Sequence, residues 1–128
     1  MCLIVKSGCK IEIAKEPIIV KKAVFKDYQF LWLKLWEADV RHTIHRYNRI
    51  LRGTRHLEIN SNQQINQGFH ACIKECTVLN NPGIDNRVRW AVIPKGAEYC
   101  LGEYNEIVAN KMIVFNNKEK MKAYVSRS

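Results

Sequence analysis

A chain of 128 residues, 47% apolar and 26% charged, has the size and composition of one globular domain with its own core, not of a disordered or fibrous protein. No run nears the ~20 apolar residues of a membrane span, and Met1–Lys6 is too short an apolar run, with its charge on the wrong side, for a secretion leader. One cytoplasmic domain over residues 1–128, without membrane association, is therefore expected, and its net charge of +9 is uneven: five arginines and no acid between Arg41 and Arg55, then four lysines and Arg127 against Glu119 alone from Lys111 onward.

Taken in chain order, Ile11-Glu12-Ile13-Ala14 alternates briefly before Pro17, and Ile18 to Phe25 is β-branched and reads as a strand with proline at its edge. Tyr28 to Leu51 suits either period. Leu35, Trp36, Val40, Ile44 and Tyr47 make a helical stripe with Asp27 as N-cap, so part of this stretch is read as helix, closed by Gly53. Leu57–Ile59 is a strand candidate and Asn60–Gln64 a polar loop. Gln67–Cys72 is a short strand led in by Gly68, and Asn80–Gly83 is a turn cluster. Arg87–Ile93 alternates and then becomes continuously apolar, the pattern of a strand with one partly wet face. Pro94-Lys95-Gly96 ends it. Ala97–Leu101, Glu106–Ala109 and Lys111–Phe115 follow as strands with turns at Gly102 and Asn110, and Lys118–Tyr124 reads as a terminal helix. Many short strands with little helix give a β-rich α+β domain.

Several constellations bear on chemistry. His42 and His45, three apart, and Cys72 and Cys76, four apart, lack the paired spacing of a zinc site, and no metal is expected. Five cysteines (Cys2, Cys9, Cys72, Cys76, Cys100) at irregular spacing read as thiols in or near the core. Cys72 lies two residues after His70, so a strand would put imidazole and thiol on one face. Glu98, Glu103 and Glu106 cluster, which allows acid–base work as well as an ordinary acidic hairpin. Arg46, Arg49, Arg52 and Arg55 recur every three residues and with Arg41 would make a basic stripe if helical. Such a stripe suits a polyanion or an acidic protein, although basic residues also merely solvate a surface.

Gly68-Phe69-His70, Ile93-Pro94-Lys95-Gly96-Ala97-x-Tyr99 and Glu106-Ile107-Val108-Ala109 together resemble a family of short uncharacterised bacterial and phage-associated proteins. The likeness covers roughly residues 65–115 and, more loosely, Cys2-Leu3 and Pro17–Val20. The order of these elements is also similar to the core of ADP-ribosyltransferases, whose split β-sheet clamps NAD. That resemblance implies that Phe69–Cys72 takes the place of the family's Ser-Thr-Ser strand. It makes Val88–Gly96 the next strand, puts Glu106 near the catalytic acid, and leaves Lys21 or Lys22 as the first-motif basic residue. Here His70-Ala71-Cys72 stands where the hydroxyls would be, and Tyr104 stands two residues before Glu106.

Two readings follow. The first is a small accessory protein, phage- or mobile-element-associated and without a cofactor, which engages an acidic protein or nucleic acid through Arg41, Arg46, Arg49, Arg52 and Arg55. The second is an NAD-dependent, ADP-ribosyltransferase-like enzyme on a split antiparallel sheet, with Glu106, His70 and Lys21 as its site.

Overall fold

The alternating and β-branched runs form strands, and in the computed structural model nearly all of them join one antiparallel sheet. The described residues are 3–24, 47–53, 55–73 and 87–128. They form β1 (Leu3–Ile4), β2 (Glu12–Ile13), β3 (Ile18–Val24), β4 (Ile50–Arg52), β5 (Gln64–Ile65), β6 (Phe69–Cys72), β7 (Arg87–Ile93), β8 (Glu98–Leu101), β9 (Glu106–Ala109), β10 (Lys111–Val114) and α1 (Lys118–Arg127). Eight strands are ordered β2-β8-β9-β6-β3-β7-β10-β4, and β1 pairs β5 in a separate ribbon. The helix expected within Tyr28–Leu51, its cap Asp27, and the Asn80–Gly83 turn lie outside the described residues, save for residues 47–51 of the first stretch.

The longest ladder is β3 on β7, in register from Ile18 opposite Ile93 to Val24 opposite Arg87. Pro17 stands just before the first residue of β3, where no ladder amide is lost, so β3 can be an interior strand. By contrast, among the described residues β3 and β6 share a single registered pair, Lys21 opposite Cys72. The buried Lys22 ammonium ties these strands further along by donating to the His70 carbonyl at 2.6 Å. The sheet is thus two four-stranded halves, β2-β8-β9-β6 and β3-β7-β10-β4, joined at a narrow seam.

One residue shows how strongly the halves curl. Asn110 alone separates β9 from β10, yet these strands hold the third and seventh places in the sheet. Four strand spacings would span ~19 Å if the sheet were flat, whereas a one-residue link reaches no more than ~7 Å. The halves must therefore wrap around until these places meet. The corner is sealed by Gly53 N–H donating to Asn110 O (3.0 Å) and Asn110 N–H donating to Glu98 O (3.1 Å). Inside lie Val20, Leu51, Ala91, Ile93, Met112 and Val114 from one half and Phe69, Ala71, Ile107 and Ala109 from the other. Each large side chain buried there stabilises by about 1.5–3 kcal/mol.

Alternation sends the other side chains outward, where two covers take them. On β7 and β10, Val92, Ile113 and Phe115 pack against Met121 of α1. That helix begins at Asn117, whose side chain accepts from Lys120 N–H at 2.8 Å, and Glu119 and Arg127 complement its dipole. It runs three residues past the expected Tyr124. On the other half, Cys100 and Val108 pack with Leu3, Val5, Leu57 and Ile65. Gly68, just before β6, has φ +84°, and a Cβ there would meet Ala109 O at 2.7 Å, so only glycine fits.

Two expectations are corrected and one open reading is resolved. Ile50–Arg52, at the end of the stretch that suited either period, is a strand paired to β10. Leu57–Ile59 forms no strand, because the Leu57 amide is taken by the Glu98 carboxylate (2.8 Å) and the Glu58 amide by Gln67 Oε1 (3.1 Å). The polar loop after it gives way at Gln64–Ile65 to β5, held by Asn60, whose Oδ1 accepts from Gln64 N–H (3.0 Å).

Candidate functional site

In an antiparallel ladder, directly opposed residues share a face and lie close together. Lys21 opposes Cys72, and Cys72 opposes Glu106. On the far side Lys21 opposes Trp90. Carboxylate, thiol, ammonium and indole therefore make one transverse row over β9, β6, β3 and β7. The row crosses the seam between the halves on the outer face. Among the described residues it runs from the β1–β5 side to α1. All four side chains are half-buried.

Each end of the row is held. The Lys21 ammonium sits 5.1 Å from the Trp90 ring centroid and Lys118 of α1 sits 5.2 Å from it, both within cation–π range. Glu106 opens β9 after a tight turn in which Asn105 takes the left-handed φ of +56°, one of the few residue types that tolerates it. Asn105 O accepts from Ile73 N–H at 3.0 Å, which ties the end of β6 to the turn, and Gly102 N–H donates to Glu106 O at 2.8 Å. Burial pushes the Glu106 carboxyl above its ordinary value. An acid so placed is costly to ionise in the resting protein and is stabilised by any positive charge brought to it.

Of the residues expected at an enzymatic site, Lys21 and Glu106 thus flank Cys72. His70 shares their face but opposes Val108, one pair deeper, and is 7% exposed. From the sequence Cys72 stands out beside His70, in a failed zinc pair with Cys76, and in the place of the family's hydroxyl strand, but not beside Lys21 or Glu106. Its place between Lys21 and Glu106 is set by strand register, which no local pattern reports.

The basic residues divide differently. Arg41 and Arg46, like His42, His45 and Cys76, lie outside the described residues. Arg49, Arg52 and Arg55 are exposed, but Arg52 is in β4 and Arg55 in the loop after it, so these three share no helical stripe. The two basic segments nevertheless meet. Asn48 N–H donates to Val114 O (2.8 Å), and the Asn48 side chain bonds Asn116 through both its atoms (3.4 Å each). Arg49 therefore lies at the same edge as Lys118.

Beyond that edge is a hollow of about 390 Å³ lined by Arg52, Arg55, His56, Glu98, Asn110 and Lys111, among others. Glu98 is its carboxylate: Oε2 meets His56 Nδ1 at 2.7 Å and Oε1 accepts from Leu57 N–H. Burial raises the Glu98 carboxyl, but the His56 ring, the Leu57 amide and the Lys111 charge outweigh it and hold it below its ordinary value. A second hollow, about 640 Å³, is lined by Glu12, Lys15, Glu16 and Tyr99 among others and contains none of the expected site residues.

Among the described residues no three His, Cys, Asp or Glu side chains gather as a metal site, and no helix is long and apolar enough to cross a membrane. Compared with protein families, with curated proteins and with solved structures, the chain matches none.

Proposed function

We propose that this chain is a nicotinamide-dinucleotide-binding domain of ADP-ribosyltransferase-like type, with the Lys21–Cys72–Glu106 row as its working surface. The observation that carries this reading is the register of β3, β6 and β9. The resemblance asks for a basic residue, a polar strand and an acid on three elements, and these elements are adjacent with their side chains opposed. Cleavage of the bound dinucleotide's glycosidic bond would release nicotinamide with the bonding pair and leave positive charge on the ribose, until an acceptor nucleophile or water forms the new bond at that carbon and gives up its proton. Glu106 is the carboxylate available to stabilise that charge, and its half-buried setting makes the interaction stronger than in water. Lys21, braced on Trp90, is the cation available to a phosphate or ribose oxygen. Cys72 offers a weaker hydrogen bond than the family's hydroxyl.

Calorimetric titration with NAD tests this. Heat of binding is expected, weakened in Lys21→Ala, with turnover falling about 10²–10³-fold in Glu106→Gln and persisting in Cys72→Ser. Absence of both heat and turnover in the native protein would reject the reading.

A second reading is supported by the Asn48–Asn116 contacts, which bring both basic segments to one edge. On it, Arg49, Arg52 and Lys118 engage an acidic protein or nucleic acid. Affinity for DNA or RNA would then fall steeply with salt, the slope dropping by about one for each arginine removed. Binding indifferent to salt would remove the nucleic-acid form.

A further inference from the structure

Arg52 of β4 directly opposes Lys111 of β10, so two cations share a face at close range. Like charges so placed destabilise a sheet unless something compensates. Compensation is only partial: among the described residues Arg52, Arg55 and Lys111 make no ion pair within 4.0 Å, and the Glu98 carboxylate reaches Lys111 only through longer-range attraction. Glu98, the only acid among the described residues that line their hollow, already has both oxygens engaged.

The frame behind these cations is firm. The buried Asn110 side chain accepts from Glu98 N–H (2.9 Å) and donates to Arg55 O (3.0 Å). Gly53 N–H donates to Asn110 O, so the loop bearing Arg55 is pinned at both ends to the β9–β10 corner. Gly96 lines the wall, and because a Cβ there would face open space, its absence lets a ligand approach the backbone. The volume, about 390 Å³, lies in the range of small-ligand sites.

We infer that this hollow binds a small phosphate-bearing molecule, its phosphate oxygens held by Arg52, Arg55 and Lys111. Guanidinium forks match phosphate geometry in pairs, and a dianion would relieve the Arg52–Lys111 opposition that Glu98 offsets only in part, at longer range from Lys111. The hollow shares no residue with the Lys21–Cys72–Glu106 row, so this assignment does not rest on dinucleotide binding there. It deepens the basic-edge reading only in sharing Arg52, and it asks for one small ligand in a pocket instead of a polyanion laid along an edge.

The test is phosphorus NMR of inorganic phosphate and of pyrophosphate with the full chain at constant ionic strength, beside proton spectra of the His56 ring. Saturable line broadening with a matching shift of the His56 signals is expected. Arg52→Gln and Lys111→Gln should each weaken binding about tenfold or more, the loss of one charge-assisted hydrogen bond. The paired variant Lys120→Gln/Lys122→Gln, on the exposed face of α1, should leave it unchanged. Should either hollow variant fail to fold, saturation and the His56 shift in the native chain still decide the matter. No saturable broadening, an unmoved His56 ring, or equal weakening by the α1 variant would overturn the site, the last showing diffuse charge only. A failed NAD titration beside saturable phosphate binding would remove the dinucleotide reading and keep this one.

Discussion

Glu98 and Glu106 stand at opposite ends of the β8–β9 hairpin, on the same outer face and both half-buried, yet their carboxyls are displaced in opposite directions. At the Asn110 corner, burial is more than repaid by an imidazole, a backbone amide and a lysine, and Glu98 is held as a carboxylate. At the turn, desolvation acts on Glu106 without such compensation, and the acid is raised. The contrast separates an acid that the fold stabilises from one that it leaves to bear the cost of desolvation. The first has its hydrogen bonds spent inside the fold, and the second keeps the capacity to answer an incoming positive charge.

The sharpest way to break this comparison is to remove the frame of the corner. Asn110→Ala deletes two buried hydrogen bonds and is expected to cost about 2–4 kcal/mol in urea unfolding, while binding at the seam row should survive wherever the protein stays folded. A loss below ~0.5 kcal/mol would mean that the corner is not what sets Glu98.

A smaller, paired effect sharpens it through pH. The lowered Glu98 value means that its contribution is present above the ordinary glutamate range and is lost as pH falls through its folded value. Glu98→Ala should therefore cost about 1.5–3 kcal/mol near neutrality, and the gap to the native protein should close as acid is added. Glu106 has the reverse sign. Its penalty is absent below the ordinary range and appears as pH rises through the raised value, so Glu106→Gln should be slightly more stable than the native chain at neutral pH and equal to it in acid. Urea midpoints measured from about pH 7 to about pH 3 check both, and like signs for the two variants would undo the distinction.

Much of the fold was legible because local and tertiary demands agree. Arg87–Ile93 alternates and is β7, Asn110 and Gly102 are the turns their types announce, and Asn117 caps the helix that Lys118 begins. Legibility failed where a distant partner decided. Arginines every three residues would make a stripe only on a helix, but Ile50–Arg52 completes the edge of β10. Leu57–Ile59 has strand composition, but the Glu98 carboxylate claims its first amide. Two-residue strands such as β1 and β5 carry too little pattern to be seen. The candidate row was half visible. Lys21 and Glu106 could be named from a family likeness, whereas the Cys72 between them, and the opposition of Arg52 to Lys111, exist only once register is set.

The single-residue junction at Asn110 also fixes how this chain can change in length. Inserting one residue there would shift β10 by one position and turn Met112 and Val114 out of the interior while bringing Lys111 and Ile113 in. Deleting it would leave β9 and β10 no span to turn between the two halves. Among the described turns, length variation is therefore expected at Pro94–Gly96, where Gly96, at φ +90°, faces open space, and not at the junction that holds the halves together.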